Sequence, residues 1–541
     1  VWSDDKRIES QEFLVEDVKI ERQDKRATLE ISHGASGLRG ELGISIDDSP
    51  EIIFSLSLKN ESNETRKIRI LFPYLENLLV GKELRDNYYF APYKGGICGN
   101  KPYEIRIAYG QHTGSMQVLS LYNPELGGGV YTWIKDKTGR MKTIILRKIE
   151  KEGKRVPVSS MLEPDMRMKE DVSLLKPGTE MSFYSYPYNL EPKETLSLPD
   201  AVLGIHPGDM KVALKSYSQW AHTWFKPQNV PAWLKDSFHY VVVMDTIGNS
   251  GYLKGFIETE DGKFKRFVWS QKIQPYEHLF EVGYWWRHSN TDAFGKNEKP
   301  YAWFPDTFGN YDYEEDWGGL TGIKDEVKRI KEKGARVIFE NSSRIIWKLS
   351  EVAKEHPEWR EIGPDGNPVD EWTVPGRRSL WNFCPQAEGW QDFLADVSGR
   401  VVRDIGVDGI YVDSMNDAKF CYSTAHSHEE SPARGAEKLM KKVSAAVKAA
   451  NPEAVVRMED VCSDYLMQYI DDTWIKTFEG GDTFGRQFDL YSVHFLRFYF
   501  PEIKYTEWGS TFEDGARRSF FSGVGYLRGD LPNFKEEVEY L

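Results

Sequence analysis

The residues best placed to do chemistry in this sequence are carboxylates standing where apolar segments stop. Val407, Ile410, Tyr411 and Val412 form a short β-branched and aromatic run that ends at Asp413, within GVDGIYVDSMND (406–417). That is the pattern of a buried parallel strand opening at a mouth. Asp245, Glu340 with Asn341, Glu459 with Asp460, Glu479 with Asp482, and Glu507 stand at or just past the ends of similar runs. Two carboxyl groups in different protonation states can cleave a glycosidic bond. One attacks or stabilises the oxocarbenium-like centre while the other protonates the leaving oxygen. Asp413 is the expected nucleophile, Glu459 the expected acid/base, and Glu479 or Asp482 the rival acid. Adjacent parallel strands bring such groups within the about 5–5.5 Å used by retaining enzymes. The expected substrate contacts are Asp245, Trp285, Trp286, His288, Asn341, Trp381 and Trp508, because aromatic faces around an acidic centre suit sugars. The plain alternative for Asp413 is a carboxylate that caps the next helix or turn.

The same carboxylates lack a DxD-type cluster or an HExxH motif, so no metal and no cofactor is expected. Cys421, His426 and His428 are metal-ligating residue types. Structural zinc needs closer and better-paired ligands, however, so a loop disulfide or buried thiols are the expectation there. The other cysteines are Cys98, Cys384 and Cys462, and none forms a CxxC.

Positioning these carboxylates requires parallel strands joined by helices. From about Pro231 onward, apolar segments such as FHYVVVMD, HLFEVGYWW, ARVIFENSS, GIYVD, AVVRMED, TWIKTFEGG and IKYTEWG alternate with amphipathic stretches such as GIKDEVKRIKEKG and AEKLMKKVSAAVKAA. Seven strand candidates with helices between them predict a (β/α)8 barrel, with Asp413 closing its fourth strand. An eighth strand is expected in the last residues or beyond residue 541. Before Pro199 the texture differs: ATLEISHG, EIIFSLSLKN, TRKIRILFPYL and KTIILRKIE alternate apolar and polar residues between turn signals, which predicts an antiparallel β-sandwich with one wet face per sheet. The expected organisation is thus a sandwich over 1–200, a helical connector over 201–230 and the barrel over 231–541.

Composition narrows the partners. A formal charge of −14 without a basic block argues against nucleic acid. Aromatic residues make up 13% of the chain, including 17 Trp and 28 Tyr, and are compatible with stacking on sugars. No run reaches the roughly 18 apolar residues that span a bilayer. The first residue is Val1, with no leader pattern after it, which fits a processed form or a fragment; localisation stays open, with an extracytoplasmic or secreted protein favoured if the chain is processed. Oligomeric state leaves no pattern in one chain.

Taken together, HPEWREIGPDGNP (356–368), LWNFCPQAEGWQDFL, GVDGIYVDSMND and MEDVCSDYL resemble the motifs of retaining α-glycoside hydrolases that join an N-terminal β-sandwich to a (β/α)8 barrel. The resemblance to α-galactosidase-like enzymes implies that Asp413 is the nucleophile and that a sixth-strand Asp, here Asp482, donates the proton. The resemblance to α-amylase-like and endo-α-N-acetylgalactosaminidase-like enzymes implies Glu459 in that second role. Tyr411 stands where the α-amylase pattern has Arg, which separates this chain from α-amylases proper. The implied partner is an oligosaccharide or glycoside. A non-catalytic carbohydrate-binding barrel and a metal-dependent barrel hydrolase remain the alternatives at this point.

Overall fold

The computed structural model describes residues 1–4, 6–46, 48–110, 114–154, 156, 158–160, 176–185, 187–243, 256–258, 265–267, 279–283, 285–286, 308–315, 318–370, 380–415, 419–429, 431–460, 462–476, 492–508 and 525–528. The chain divides into two compact units, Val1–Phe225 with Gly481–Phe495, and Lys226–Gly480 with Leu496–Leu541.

The first unit is built from β-sheet. A ten-stranded antiparallel sheet, a five-stranded sheet and a four-stranded sheet account for its strands among the described residues. Leu38 and Leu58 of the largest sheet meet Ile68 and Leu190 of the smallest in one apolar cluster, so these sheets pack face to face. Two expectations need correction here. The strand Ala201–Pro207, assigned to the helical connector, lies inside the largest sheet between Gly128–Ile134 and Glu51–Asn60. Its alternation of buried and exposed residues is that of a strand, and only Lys211–Ala221 is helical. In the five-stranded sheet, moreover, the strand Lys142–Ile149 is wet on neither face: every one of its residues is buried. Arg147 there pairs with Glu104 and Glu180, Lys142 with Asp136, and Lys148 donates to the Asn87 and Asn100 carbonyls. One pairing in that sheet is also parallel, between Tyr103–Tyr109 and Val158–Ser160.

The second unit is a closed ring of eight strands. In chain order they are β1 (His239–Val243), β2 (Leu279–Val282), β3 (Arg336–Ser342), β4 (Gly409–Asp413), β5 (Val455–Met458), β6 (Asp472–Lys476), β7 (Lys504–Trp508) and β8 (Gly525–Arg528). Each pairs in parallel with the next, and β8 pairs in parallel with β1. The eighth strand is therefore within this chain, at GYLR. So short a strand carries no periodicity of its own, which is why the sequence pattern does not single it out.

Helices α1 (Gly319–Glu332), α2 (Glu388–Ile405) and α3 (Pro432–Ala450) connect the strands around Asp413. Helix α2 ends on Gly406, whose φ of +83° is the left-handed cap that glycine adopts without strain. Two aspartates then fix strand register. Asp408, 3% exposed, accepts the Val337 N–H at 3.0 Å and pairs with Arg336 at 2.9 Å, pinning β4 to β3. Asp471 accepts the Val456 N–H at 2.8 Å and pairs with Lys448 at 2.9 Å, pinning β6 to β5. A one-residue slip would turn every inward side chain outward, so these pins decide what faces the ring interior. Gly409 completes the arrangement: a Cβ there would lie 2.3 Å from the Val455 carbonyl oxygen.

Candidate active site

The ring interior is layered. Side chains at alternate positions face inward, and register sets Glu340 level with Tyr411 and Tyr411 level with Arg457, which in turn is level with Asp472. Arg457, fully buried, pairs with Glu281 at 3.3 Å and Asp472 at 3.5 Å and lies over the Tyr240 ring at 4.8 Å. Thr506 donates to Asp472 at 3.2 Å. Burial outweighs the nearby guanidinium for both acids, raising Glu281 to about 7 and Asp472 to about 6.

Asp413 ends β4 two residues beyond Tyr411, on the same face. The Tyr411 hydroxyl donates to its Oδ1 at 2.9 Å, and the Ser414 hydroxyl donates to its Oδ2 at 2.8 Å. Both oxygens are thereby oriented, while the side chain remains only half-buried. Ser414 has a φ of +61°, a conformation that costs a non-glycine residue free energy and needs support from its surroundings. That conformation lets one residue serve both carboxylates: its hydroxyl binds Asp413 and its N–H donates to Glu459 Oε2 at 3.1 Å. Glu459 itself follows β5 directly, and its N–H donates to the Val412 carbonyl at 3.1 Å.

Beneath this pair lies Glu340, 3% exposed. Burial, then the negative charges of Asp413, Glu281 and Glu459, push its carboxyl well above the usual range. Burial and the same carboxylates push the Tyr411 phenol up as well, which keeps its proton available for Asp413.

The structure sorts the sequence-derived residues into groups. Asp413 and Glu459 come together. Asn341 does not join them: it faces α2, where its amide donates to Ser398 at 3.0 Å, because odd and even positions of β3 point to opposite faces. Glu340 takes the inward place. Trp285 and Trp286 are fully buried and offer no open face to a sugar. Trp285 donates to the Glu340 carbonyl at 2.7 Å and stacks on Phe339 with centroids 5.7 Å apart, while Trp286 packs on Phe308 at 5.1 Å. Both are core residues, and Trp285 braces β3 from behind. Trp381 is half-buried beneath the Arg360 guanidinium, 4.1 Å above its ring. Trp508 closes β7, and its side chain, like Asp245, His288 and Asp482, lies outside the described residues. Sequence reasoning missed Ser414 and the positive role of Tyr411. The adjacency of a hydroxyl to a strand-end Asp was the available signal.

Residues 197–479 match the model of a family described as a domain of unknown function, DUF6259. The chain belongs to the DUF6259 family. No curated protein matches it. Among solved structures, this DUF6259 protein is similar to an α-N-acetylgalactosaminidase from Bifidobacterium bifidum, with a TM-score of 0.63 at 11% identity over 99% of this chain and 83% of that one. It is also similar to an α-galactosidase from Lactobacillus brevis, with a TM-score of 0.52 at 12% identity over 99% and 69% of the two chains. A third similar structure is an α-galactosidase from Geobacillus stearothermophilus, with a TM-score of 0.51 at 12% identity over 97% and 69%. At such identities the likeness is one of fold: the DUF6259 chain has a glycoside hydrolase-like fold.

Proposed function

We propose that this DUF6259 protein is a glycoside hydrolase that cleaves α-linked sugars with retention, in a ring read as a (β/α)8 barrel carrying its site at the carboxyl ends of the strands. The observation that carries the reading is the joint clamp of Ser414 on two carboxylates at neighbouring strand ends, one of them oriented on both oxygens. A nucleophile needs one oxygen aimed at the anomeric carbon, and two fixed donors restrict the carboxylate to one plane. Asp413 attacks the anomeric carbon, the leaving oxygen takes a proton, and water then displaces Asp413 from the glycosyl-enzyme. Glu459 is assigned to the proton transfers, with Asp482 as the alternative donor. Glu340, buried beneath Asp413 and Glu459, is a carboxyl whose charged form its surroundings disfavour. The names of the similar structures favour galactose-configured substrates.

The test uses aryl α-galactosides and α-N-acetylgalactosaminides. Asp413→Asn should abolish turnover, and the first product released by the wild type should keep the α configuration. An inverted product, or full activity in the variant, would end this assignment. Glu459→Gln should lose most activity on poor leaving groups and least on good ones. If Asp482→Asn behaves that way instead, the proton donor is Asp482.

A further inference from the structure

Cys384, Cys421, His426 and His428 come together in the second unit, each offering one ligand atom, with all four atoms within 4.8 Å of one another. Cys384 lies between the strand Leu380–Asn382 and α2. The other three lie in the segment 419–429, between β4 and α3. We propose that these four residues form a structural zinc site that ties the segment downstream of Asp413 to the start of α2.

Geometry carries the assignment. A tetrahedral zinc with Zn–S of about 2.3 Å and Zn–N of about 2.0–2.1 Å sets a sulfur-to-nitrogen edge of about 3.6 Å. The Cys421 Sγ to His426 Nε2 separation is 3.6 Å. The surrounding groups prepare the ligands. His426 Nδ1 lies 2.9 Å from the Glu358 carbonyl, an acceptor only, so Nδ1 carries the proton and Nε2 presents its lone pair to the cluster. The Nε2 of His428 is buried with no hydrogen-bond partner, which a coordinate bond would supply. Backbone N–H groups of Gln386 and Ile362 point at the sulfurs of Cys384 and Cys421, each at 3.4 Å, as thiolate ligands require. Two sulfurs and two imidazoles favour zinc over harder ions, and four protein ligands leave no position open for catalysis. The segment is already seated by hydrogen bonds from Tyr422 N to the Ile362 carbonyl at 2.8 Å and from Glu429 N to Gln386 Oε1 at 2.7 Å. Zinc would lock that seat.

The full chain, purified under reducing conditions without chelator, should contain about one zinc per chain by elemental mass spectrometry. Cobalt(II) added to zinc-depleted protein should give the strong visible d–d bands of a tetrahedral ion, with thiolate-to-metal charge transfer in the near ultraviolet. Cys421→Ser and His428→Gln should each lower the zinc content at least about tenfold, whereas Cys98→Ser should leave it unchanged. Wild-type protein with no zinc and no cobalt bands would overturn the proposal without reference to any variant. So would a Cys384–Cys421 disulfide in non-reducing peptide maps, or zinc retained in both ligand variants. None of these readouts depends on glycosidase activity.

Discussion

Two rows of carboxylates cross neighbouring strands in this protein, and they are built to opposite ends. In the first unit Glu104, Arg147 and Glu180 stand side by side on three paired strands. Arg147 binds Glu104 at 3.0 Å and Glu180 at 2.9 Å, and Arg106 binds Glu104 from the same strand. Burial works to raise the Glu104 carboxyl, but the two guanidinium groups overcome it and hold that carboxyl below its usual range. In the ring, Glu340, Asp413 and Glu459 face one another, and the charges acting on Glu340 are all negative. Interleaved cations make the first row a fixed structural pairing. In the second row burial and the facing carboxylates act in the same direction, both raising the Glu340 carboxyl.

Breaking each row should therefore be read in a different measurement. The largest effect belongs to Asp413→Asn, which should lower kcat by about 10⁴-fold, or about 5 kcal/mol of barrier, while thermal unfolding shifts little. A comparable loss of stability in that variant would mean that Asp413 is a structural residue like Glu104. Arg147→Met should do the reverse, destabilising the protein by about 3–5 kcal/mol by stranding two buried carboxylates, with kcat of the folded fraction unchanged. Denaturant titration alongside active-site-normalised kinetics separates the two outcomes.

Tyr411→Phe sharpens the contrast within the ring. It removes one donor to Asp413 and should lower kcat by about 10²-fold, without a matching rise in KM. Equal activity in the variant would show that Ser414 alone suffices to orient the nucleophile. The smallest effect concerns Glu281, whose folded pKa of about 7 lies above the ordinary 4.5. Below pH 4.5 both folded and unfolded states hold the proton, so nothing is lost. As pH rises from there through about 7, the unfolded state releases its proton more readily and stability falls. Glu281→Gln should flatten that fall by about 2 kcal/mol or less in pH-dependent chemical denaturation. An unchanged slope would place the titration on Asp472 instead.

Much of this was legible in the chain itself. Period-two alternation announced the sheets before Pro199, and apolar runs stopping at carboxylates announced parallel strands with a common mouth. Asp413 and Glu459 could be paired because adjacent strands in sequence are adjacent in a parallel ring. These inferences rest on local periodicity and chain order, which sequence carries directly. What failed was whatever depends on facing. Asn341 and Glu340 are neighbours in sequence, and only register, pinned by Asp408, decides which of them enters the ring. Trp285 and Trp286 looked like stacking platforms, yet packing against Phe339 and Phe308 buries them in the core. The four-residue strand at GYLR was invisible because closure of the ring, rather than its own pattern, makes it a strand.

By itself, then, the sequence determined a β-rich first part, a parallel-stranded second part and a carboxylate, Asp413, closing one of its strands, since composition and period act over a few residues at a time. Tertiary structure alone decided that Ser414 clamps both carboxylates, that Glu340 lies buried beneath them, and that Cys384 meets Cys421, His426 and His428. Each of those depends on side chains from separate segments arriving within a few ångströms, and in each case the fold sets the distance.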